Sequence, residues 1–323
     1  MNATINLEKH FPVLLNELVS IISPLYGGTF IDCTFGQGGY SKKILENKYN
    51  NIIAIDRDIK SLKISDNFKK KYKNRFKFEN IKFSEIDKLN TNKNILKGII
   101  FDLGYSTAQI KDPQKGLSFF NKGKLNMQMG LNKLSANEVI NNFNQTSLSK
   151  IFYTFGDEKK ANNISKRIIN LRKLKKVETQ DLVKIIDIVY KKRFKKIHNS
   201  TKVFQALRIF VNNEISELIN GLINSFKLLP KGGVIVVVTF HSIEDKIVKY
   251  FFHHYSQNKN FSRYLPEKEK KSILFNLPKK KPLFPYKDEI TKNPPSRSAK
   301  LRYAFKVNDN HDFSDFKKKF KYL

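Results

Sequence analysis

The stretch IDCTFGQGGYSKKILENKYNNIIAIDRD, residues 31–58, decides the fold. It joins two apolar runs, the second ending in acid, through a glycine cluster and a helix-like segment. Residues 28–34 follow a Gly-Gly turn and are rich in β-formers, which predicts a first strand. Residues 41–47 predict a short helix. Residues 51–56 are nearly all apolar, as a parallel strand buried on both faces should be. Together they form a βαβ nucleotide unit.

The glycines discriminate between ligands. Gly36, Gly38 and Gly39 lack the third glycine of a dinucleotide fingerprint, because Ser41 stands there. Gly39-Tyr40-Ser41 lacks the lysine of a P-loop. What remains is D-x-x-x-G-x-G, built on Asp32, Gly36 and Gly38. Such glycines let the backbone turn tightly and approach a ligand without binding phosphate. Asp56 ends the next strand, where an acid can accept both ribose hydroxyls. Asp32 could meet an amino-acid ammonium. This set suggests S-adenosylmethionine; the plainer alternative is a tight turn with an ordinary surface acid.

Outward from this unit, GIIFDL (98–103) and VIVVVTF (234–240) predict two further buried strands, and residues 301–307 a final edge strand. Strands alternating with helical patterns predict an α/β fold with a parallel sheet. Residues 135–194 read as polar helices without a buried strand. Phe204, Leu207, Val211, Ile215, Leu218 and Leu222 recur at the spacing of one further helix. Residues 259–295 are basic, proline-punctuated loop. A helical domain inserted into an α/β core is the simplest architecture. Its expected bounds are 1–109 for the first part of the core, 110–200 for the insertion, and 201–323 for the second part with its basic tail.

Composition narrows the class. Among 323 residues, 61 Lys+Arg against 29 Asp+Glu give a formal charge of +32, which favours polyanion partners. A lysine-, asparagine- and isoleucine-rich composition also arises by drift. The single cysteine, Cys33, excludes an internal disulfide and a cysteine-based metal cluster, and no His/Cys/Asp grouping suggests a metal. No apolar run approaches the roughly 20 residues of a membrane span. The first residues, MNATINLEKHF, lack a secretory pattern. A cytoplasmic protein away from membranes is expected.

Three more features bear on chemistry. Asp102 ends its strand, where open α/β sheets bind ligands. A carboxylate there could hydrogen-bond an acceptor amine and localise its lone pair; alternatively it caps a turn. His241 follows the strand at 234–240 and could face a target base or serve structure alone. In FHSIEDK (240–246), Ser242 and Asp245 resemble a helix N-cap and its third residue. Gln205, Arg208 and Asn212 line one helix face, for substrate or phosphate contact or as a solvated stripe.

Nine segments in order carry a family resemblance: HFPVLLNE (10–17), DCTFGQGG (32–39), AIDRD (54–58), DLGYSTAQ (102–109), KGLSF (115–119), GDE (156–158), TKVFQALRIFVNNE (201–214), FHSIEDK (240–246) and NPPSRSAKLR (293–302). The chain resembles the bacterial ribosomal RNA small subunit methyltransferase H family, also called MraW, over nearly its whole length. The resemblance implies a class I (Rossmann-like) S-adenosylmethionine-dependent methyltransferase core with an inserted helical domain. It implies methylation of N4 of a cytidine in the decoding region of 16S rRNA, in an assembled or nearly assembled 30S particle, and it admits a homodimer. Cofactor contacts carry over to Gly38, Gly39, Tyr40, Asp56, Phe83, Asp102 and Gln109. Tyr40 replaces the usual histidine, and Phe83 would stack near an adenine unless it is a core aromatic.

The chain departs from the family at several points. The pattern D-M-R-M-D reads NMQMG at 126–130, R-G-F-S-F begins with Lys115, S-S-P-Q carries Thr107 and Ala108, and Lys202 replaces an arginine. Arginine and lysine differ wherever a planar fork matters. The change at 126–130 motivates an alternative, an rRNA-binding assembly factor that keeps the fold with weakened catalysis. A DNA or small-molecule methyltransferase would leave the ordered motifs unexplained.

Overall fold

The computed structural model describes residues 12–106, 109–110, 112–120, 124–191, 198–256 and 272–321. Thr107, Ala108, most of the basic run at 192–197, the tail at 257–271 and the first residues of HFPVLLNE lie outside them. The chain forms two compact units, Met1–Gly104 with Leu218–Tyr322, and Tyr105–Glu217.

The first unit holds a seven-stranded sheet in the order β3-β2-β1-β4-β5-β7-β6. The strands are β1 (Thr29–Asp32), β2 (Asn51–Ile55), β3 (Phe76–Glu79), β4 (Leu96–Leu103), β5 (Val234–Thr239), β6 (Phe275–Asn276) and β7 (Lys300–Lys306). Strands β1 to β5 run parallel, and β7 runs antiparallel to both β5 and β6. The chain winds outward from β1 to β3, returns to β4 and winds the other way. The β1/β4 junction is therefore the switch point at which open α/β sheets bind ligands. Strand β5, VIVVVT, is buried at every position, because helices cover both faces of such a sheet. Helices α1 (Leu15–Ile22), α2 (Gly39–Ile44) and α3 (Ser61–Tyr72) belong to this unit, as do α10 (Ser242–His254), α11 (Lys287–Lys292) and α12 (Ser314–Lys319). Its core includes Leu18, Phe30, Ile44, Ile52, Ile100 and Val236.

The second unit is helical: α4 (Ala136–Asn142), α5 (Gln145–Gly156), α6 (Ala161–Arg172), α7 (Thr179–Tyr190) and α8 (Thr201–Val211). Ser135 and Glu138 form a capping box at the start of α4, and the Asn144 side chain caps α5. Val139, Phe152, Ile164, Leu182 and Leu207 meet in its core. Buried Met127 and Met129 carry the loop at 126–130 into this unit.

Four expectations need correction. The helix over residues 204–222 is two helices, α8 and α9 (Glu214–Leu228), because Asn213 takes a left-handed backbone with φ 54°. The domain bounds shift with it: α8 packs against α5 in the helical unit, not in the second part of the core. Strand β7 is no edge, since β6 pairs outside it. The Ser242–Asp245 cap is in fact His241–Glu244. Strand β3 is an addition: FKFE buries alternate residues only, so it lacks a continuous apolar run.

Candidate active site

The first unit gathers Asp32, the glycine loop, Asp56, Asp102 and His241 at the carboxyl ends of β1, β2, β4 and β5. Backbone bonds fix the loop. Cys33 N–H donates to Ile100 O at 2.9 Å and Phe35 N–H to Ile55 O at 3.0 Å, so the exit from β1 is tied to both neighbouring strands. Gly36 and Gly38 have φ of +50° and +76°, a region side chains rarely adopt. A Cβ on Gly38 would fall 2.5 Å from the Phe68 ring. A Cβ on Gly36 would meet only Thr34 O, at 3.8 Å. Gly38 is thus required by packing, whereas Gly36 leaves a bare backbone facing open space.

The acids have different jobs. Asp32 is 1% exposed. Ser41 Oγ donates to its Oδ2 at 2.6 Å, and Thr34 N–H to its Oδ1 at 3.2 Å. Burial pushes its carboxyl up to about 6, against the pull of the Ser41 and Thr34 hydrogen bonds. Both Asp32 oxygens thus bond within the loop, and burial, not a lack of acceptor positions, sets it apart from Asp56. Asp56 is half-buried and accepts Gly36 N–H at 2.7 Å and Ser61 Oγ at 3.0 Å on Oδ2, and Asp58 N–H at 2.8 Å on Oδ1. Burial raises it above the ordinary range, and these bonds only partly offset the rise. Each carboxylate oxygen has more than one acceptor position, so Oδ1 keeps capacity for a ligand hydroxyl.

Asp102 differs from both. Thr34 Oγ1 accepts its backbone N–H at 2.7 Å. Its Oδ1 is buried with no hydrogen-bond partner among the described residues. Burial, with Asp32 and Glu244 nearby, pushes the carboxyl up to about 8. A buried acceptor without a donor costs about 1–3 kcal/mol. A protein of charge +32 thus builds a locally acidic corner with an unsatisfied oxygen and, on the loop that leaves β1, an open glycine. The residues fit a ligand that brings positive charge and N–H donors and needs close backbone approach. S-adenosylmethionine, with its sulfonium and ammonium, has that character.

Other expected residues serve structure in part. The Tyr40 hydroxyl donates to Val13 O, and the ring is buried, so that hydroxyl is not free for a ligand. Phe83 is half-buried and packs edge-to-face on Phe101 at 5.5 Å, with Gly221 against its ring. His241 caps α10: its Nδ1 accepts Glu244 N–H at 3.4 Å, and its Nε2 lies 2.9 Å from Glu244 Oε1. Glu244 Oε2 in turn accepts the N–H groups of Phe240 and His241 at 2.9 and 3.3 Å. Asp245 instead binds Arg302 Nε at 2.7 Å and Lys300 Nζ at 2.9 Å.

Gln109, Gln205, Arg208 and Asn212 belong to the helical unit. Gln109 Oε1 accepts Ser106 N–H at 3.0 Å. Gln205 Nε2 donates to Phe155 O at 3.3 Å. Arg208 reaches Glu214 Oε2 at 3.0 Å and lies over the Tyr105 ring at 4.5 Å. Asn212 is fully buried: its Nδ2 donates to Met127 O at 2.8 Å, and its Oδ1 accepts Met129 N–H at 2.9 Å. The expected stripe is therefore no solvated face. Asn212 staples the departed 126–130 loop, whose Gly130 has φ 51°. Glycine takes that left-handed conformation without strain.

Sequence reading missed Thr34, Ser61 and Glu244. Ser41 entered it only as an absent glycine, yet its hydroxyl holds Asp32. A polar residue one turn into a helix that opens beside a strand-end acid was the available signal.

Comparison with known proteins bears on these motifs as a set. The ribosomal RNA small subunit methyltransferase H of Orientia tsutsugamushi (strain Ikeda) is 40% identical over 309 residues, covering 93% of this chain and 99% of that protein. The protein of the same name from Rickettsia bellii (strain OSU 85-389) is 40% identical over 310 residues, with the same coverage. An rRNA methylase structure from Streptococcus thermophilus aligns over 93% of this chain and 99% of its own, at 8% identity and a TM-score of 0.42. The sequence model of the MraW methylase family matches residues 7–307, and the chain belongs to that family.

Proposed function

We infer that this protein is an S-adenosylmethionine-dependent methyltransferase acting on N4 of a cytidine in the decoding region of small-subunit (16S) rRNA. Family membership across residues 7–307 supports the reaction class. The observation that carries the assignment to this site is the unpartnered Asp102 Oδ1 at the end of β4.

When bound, S-adenosylmethionine supplies a methyl group already activated on sulfur, so the protein's work is alignment. The bare backbone at Gly36 admits the ligand, with Gly38, Gly39 and Tyr40 shaping the turn into α2. Asp56 accepts ribose hydroxyls while holding Gly36. Phe83 would offer the exposed part of its half-buried ring to the adenine. Asp32 acts through Ser41 and Thr34 as a positioning residue. Asp102 accepts an N–H, from the donor's ammonium or from the cytidine amine. In the second case it would hold one N–H and leave the lone pair directed at the methyl; as the N–C bond forms, the C–S bond would break, a neutral thioether would leave, and the ionised Asp102 would take the proton that N4 loses. His241 and Glu244 fix the start of α10 beside it. Gln109, Gln205 and Arg208 serve RNA recognition in the helical unit, with Asn212 setting the loop beneath them. A target base must leave its stack to be reached. No described helix is long and apolar enough to cross a membrane. The reading places the protein in the cytoplasm on an assembled or nearly assembled 30S particle, as a monomer or a homodimer that sedimentation would distinguish.

The test is methyl incorporation from labelled donor into small subunits from cells lacking the gene, followed by mass spectrometry of the digested rRNA. N4-methylcytidine is expected, at one position. Donor binding without incorporation into any ribosomal substrate would overturn the reading in favour of an assembly factor.

A further inference from the structure

The segment KKKPLFPYK, residues 279–287, does not belong to the donor site, yet it is built with unusual care for a loop. Leu283 forms an antiparallel bridge with Leu301, each N–H donating to the other's carbonyl at 2.9 Å. Upstream, Lys280 O is held by Arg302 Nη1 at 3.3 Å and by His253 Nε2 at 3.0 Å. Downstream, Glu289 Oε1 in α11 accepts Leu14 N–H at 2.8 Å. Pro282 and Pro285 remove backbone freedom, and a residue before proline is confined to extended conformations. Tyr286 is itself extended, with φ −71° and ψ 161°.

This rigid run points its largest side chains outward. Pro285 is buried, while Phe284 and Tyr286 on either side are 56% and 74% exposed. Two exposed aromatic side chains thus stand two residues apart on a frame held at both ends. Lone exposed aromatics need no explanation, but a fixed pair rimmed by charge marks an interaction surface. The charge flanking the pair in sequence is positive: Lys279, Lys280, Lys281, Lys287 and Lys292, against Asp288 and the already engaged Glu289.

We propose that Phe284 and Tyr286 form a stacking platform for two unpaired bases of an RNA strand, whose phosphates are held by the flanking lysines. Aromatic faces stack any base, and lysines track a backbone without reading sequence. The chemistry matches a single strand better than a duplex, because a helix keeps its base faces covered. The proposal rests on the RNA-modifying reading above and adds to it a surface that would hold unpaired RNA outside the donor site.

The test is fluorescence anisotropy of the full chain with a labelled oligouridine decamer, across a series of salt concentrations. The Phe284→Ala/Tyr286→Ala double variant is expected to bind at least tenfold more weakly with the salt slope unchanged. Lys280→Ala/Lys281→Ala should make the slope shallower, and Phe284→Trp should keep affinity. Thermal melting and S-adenosylmethionine affinity should match the parent in all of them. A folded double variant that binds the decamer within twofold of the parent overturns the platform. So does one that keeps RNA binding but loses capture of RNA-free small-subunit proteins, because the surface would then dock protein. Failure of methyl incorporation by the parent chain, with aromatic-dependent RNA binding intact, would instead remove the proposed activity and leave the platform standing.

Discussion

The carboxylate of Asp56 accepts the amide hydrogen of Gly36 at 2.7 Å, across 20 residues of sequence. The acid at the end of β2 thereby sets the loop that leaves β1, so ligand contact and loop geometry share one side chain. Asp56→Ala removes the acceptor for Gly36, Asp58 and Ser61 together and should cost about 2–3 kcal/mol of stability. Asp56→Asn keeps one carbonyl acceptor and should recover much of that loss. Both variants should bind S-adenosylmethionine at least tenfold more weakly. Calorimetric titration beside thermal melting separates the two effects. Full affinity in Asp56→Asn would remove Asp56 from the donor contacts.

Asp102 gives a pH-dependent prediction with a definite sign. Its carboxyl is pushed up to about 8 by burial and by Asp32 and Glu244, so it is mostly protonated at pH 7. A cation arriving beside it favours the carboxylate, and binding should release up to about one proton at pH 7. Release should vanish near pH 10, where the group is already ionised. Calorimetry in buffers of different ionisation enthalpy reads this directly, and Asp102→Asn should abolish it. For stability, a raised carboxyl contributes fully below its ordinary value near 4, and that contribution is lost as pH rises through about 8. Asp102→Asn should therefore melt about 3 °C or more above the parent at pH 9 and show little gain at pH 4.

The legible parts of the fold are those that chemistry constrains on both sides. Strands β1, β2, β4 and β5 show as continuous apolar runs because the sheet buries both their faces. Strand β3 hides in FKFE because only alternate residues are buried. The α8–α9 break hides because apolar spacing runs straight through it, and Asn213 takes its left-handed turn without a glycine or proline. At the site, strand-end acids were visible as types at positions. Their partners were not: nothing in sequence spacing says that Ser41 closes on Asp32, or that Thr34 holds the backbone of Asp102. The exposed Phe284 and Tyr286 were hidden too, inside a stretch that reads as basic loop.

Asn212 should be the most sensitive polar position of the helical unit. It is fully buried and binds the backbone of Met127 and Met129 on one side and Arg208 O at 2.9 Å on the other. Asn212→Ala strands these groups and should cost about 2–4 kcal/mol. Hydrogen exchange should localise the loss: the Met129 amide should exchange far faster, while amides of β1 and β4 keep their protection. Unchanged exchange at Met129 would mean the 126–130 loop holds its shape without Asn212.

His241 offers a choice between structure and catalysis that two substitutions can separate. Its ring accepts Glu244 N–H at the start of α10, and Glu244 returns two backbone hydrogen bonds. Asparagine caps helices at least as well as most residues, so His241→Asn should preserve stability, whereas His241→Ala should lose about 1 kcal/mol. Neither carries the imidazole. If His241 only positions, His241→Asn should retain kcat within about threefold, and His241→Ala should lose activity in step with its stability. If its ring takes part in proton movement, both should lose about 10²–10⁴ in kcat. Its Nε2 lies 2.9 Å from Glu244 Oε1 but, among the described residues, is buried without a hydrogen-bond partner. The Nδ1 cap of α10 favours the first outcome, and a matched loss in the two variants at equal stability would return His241 to the chemistry.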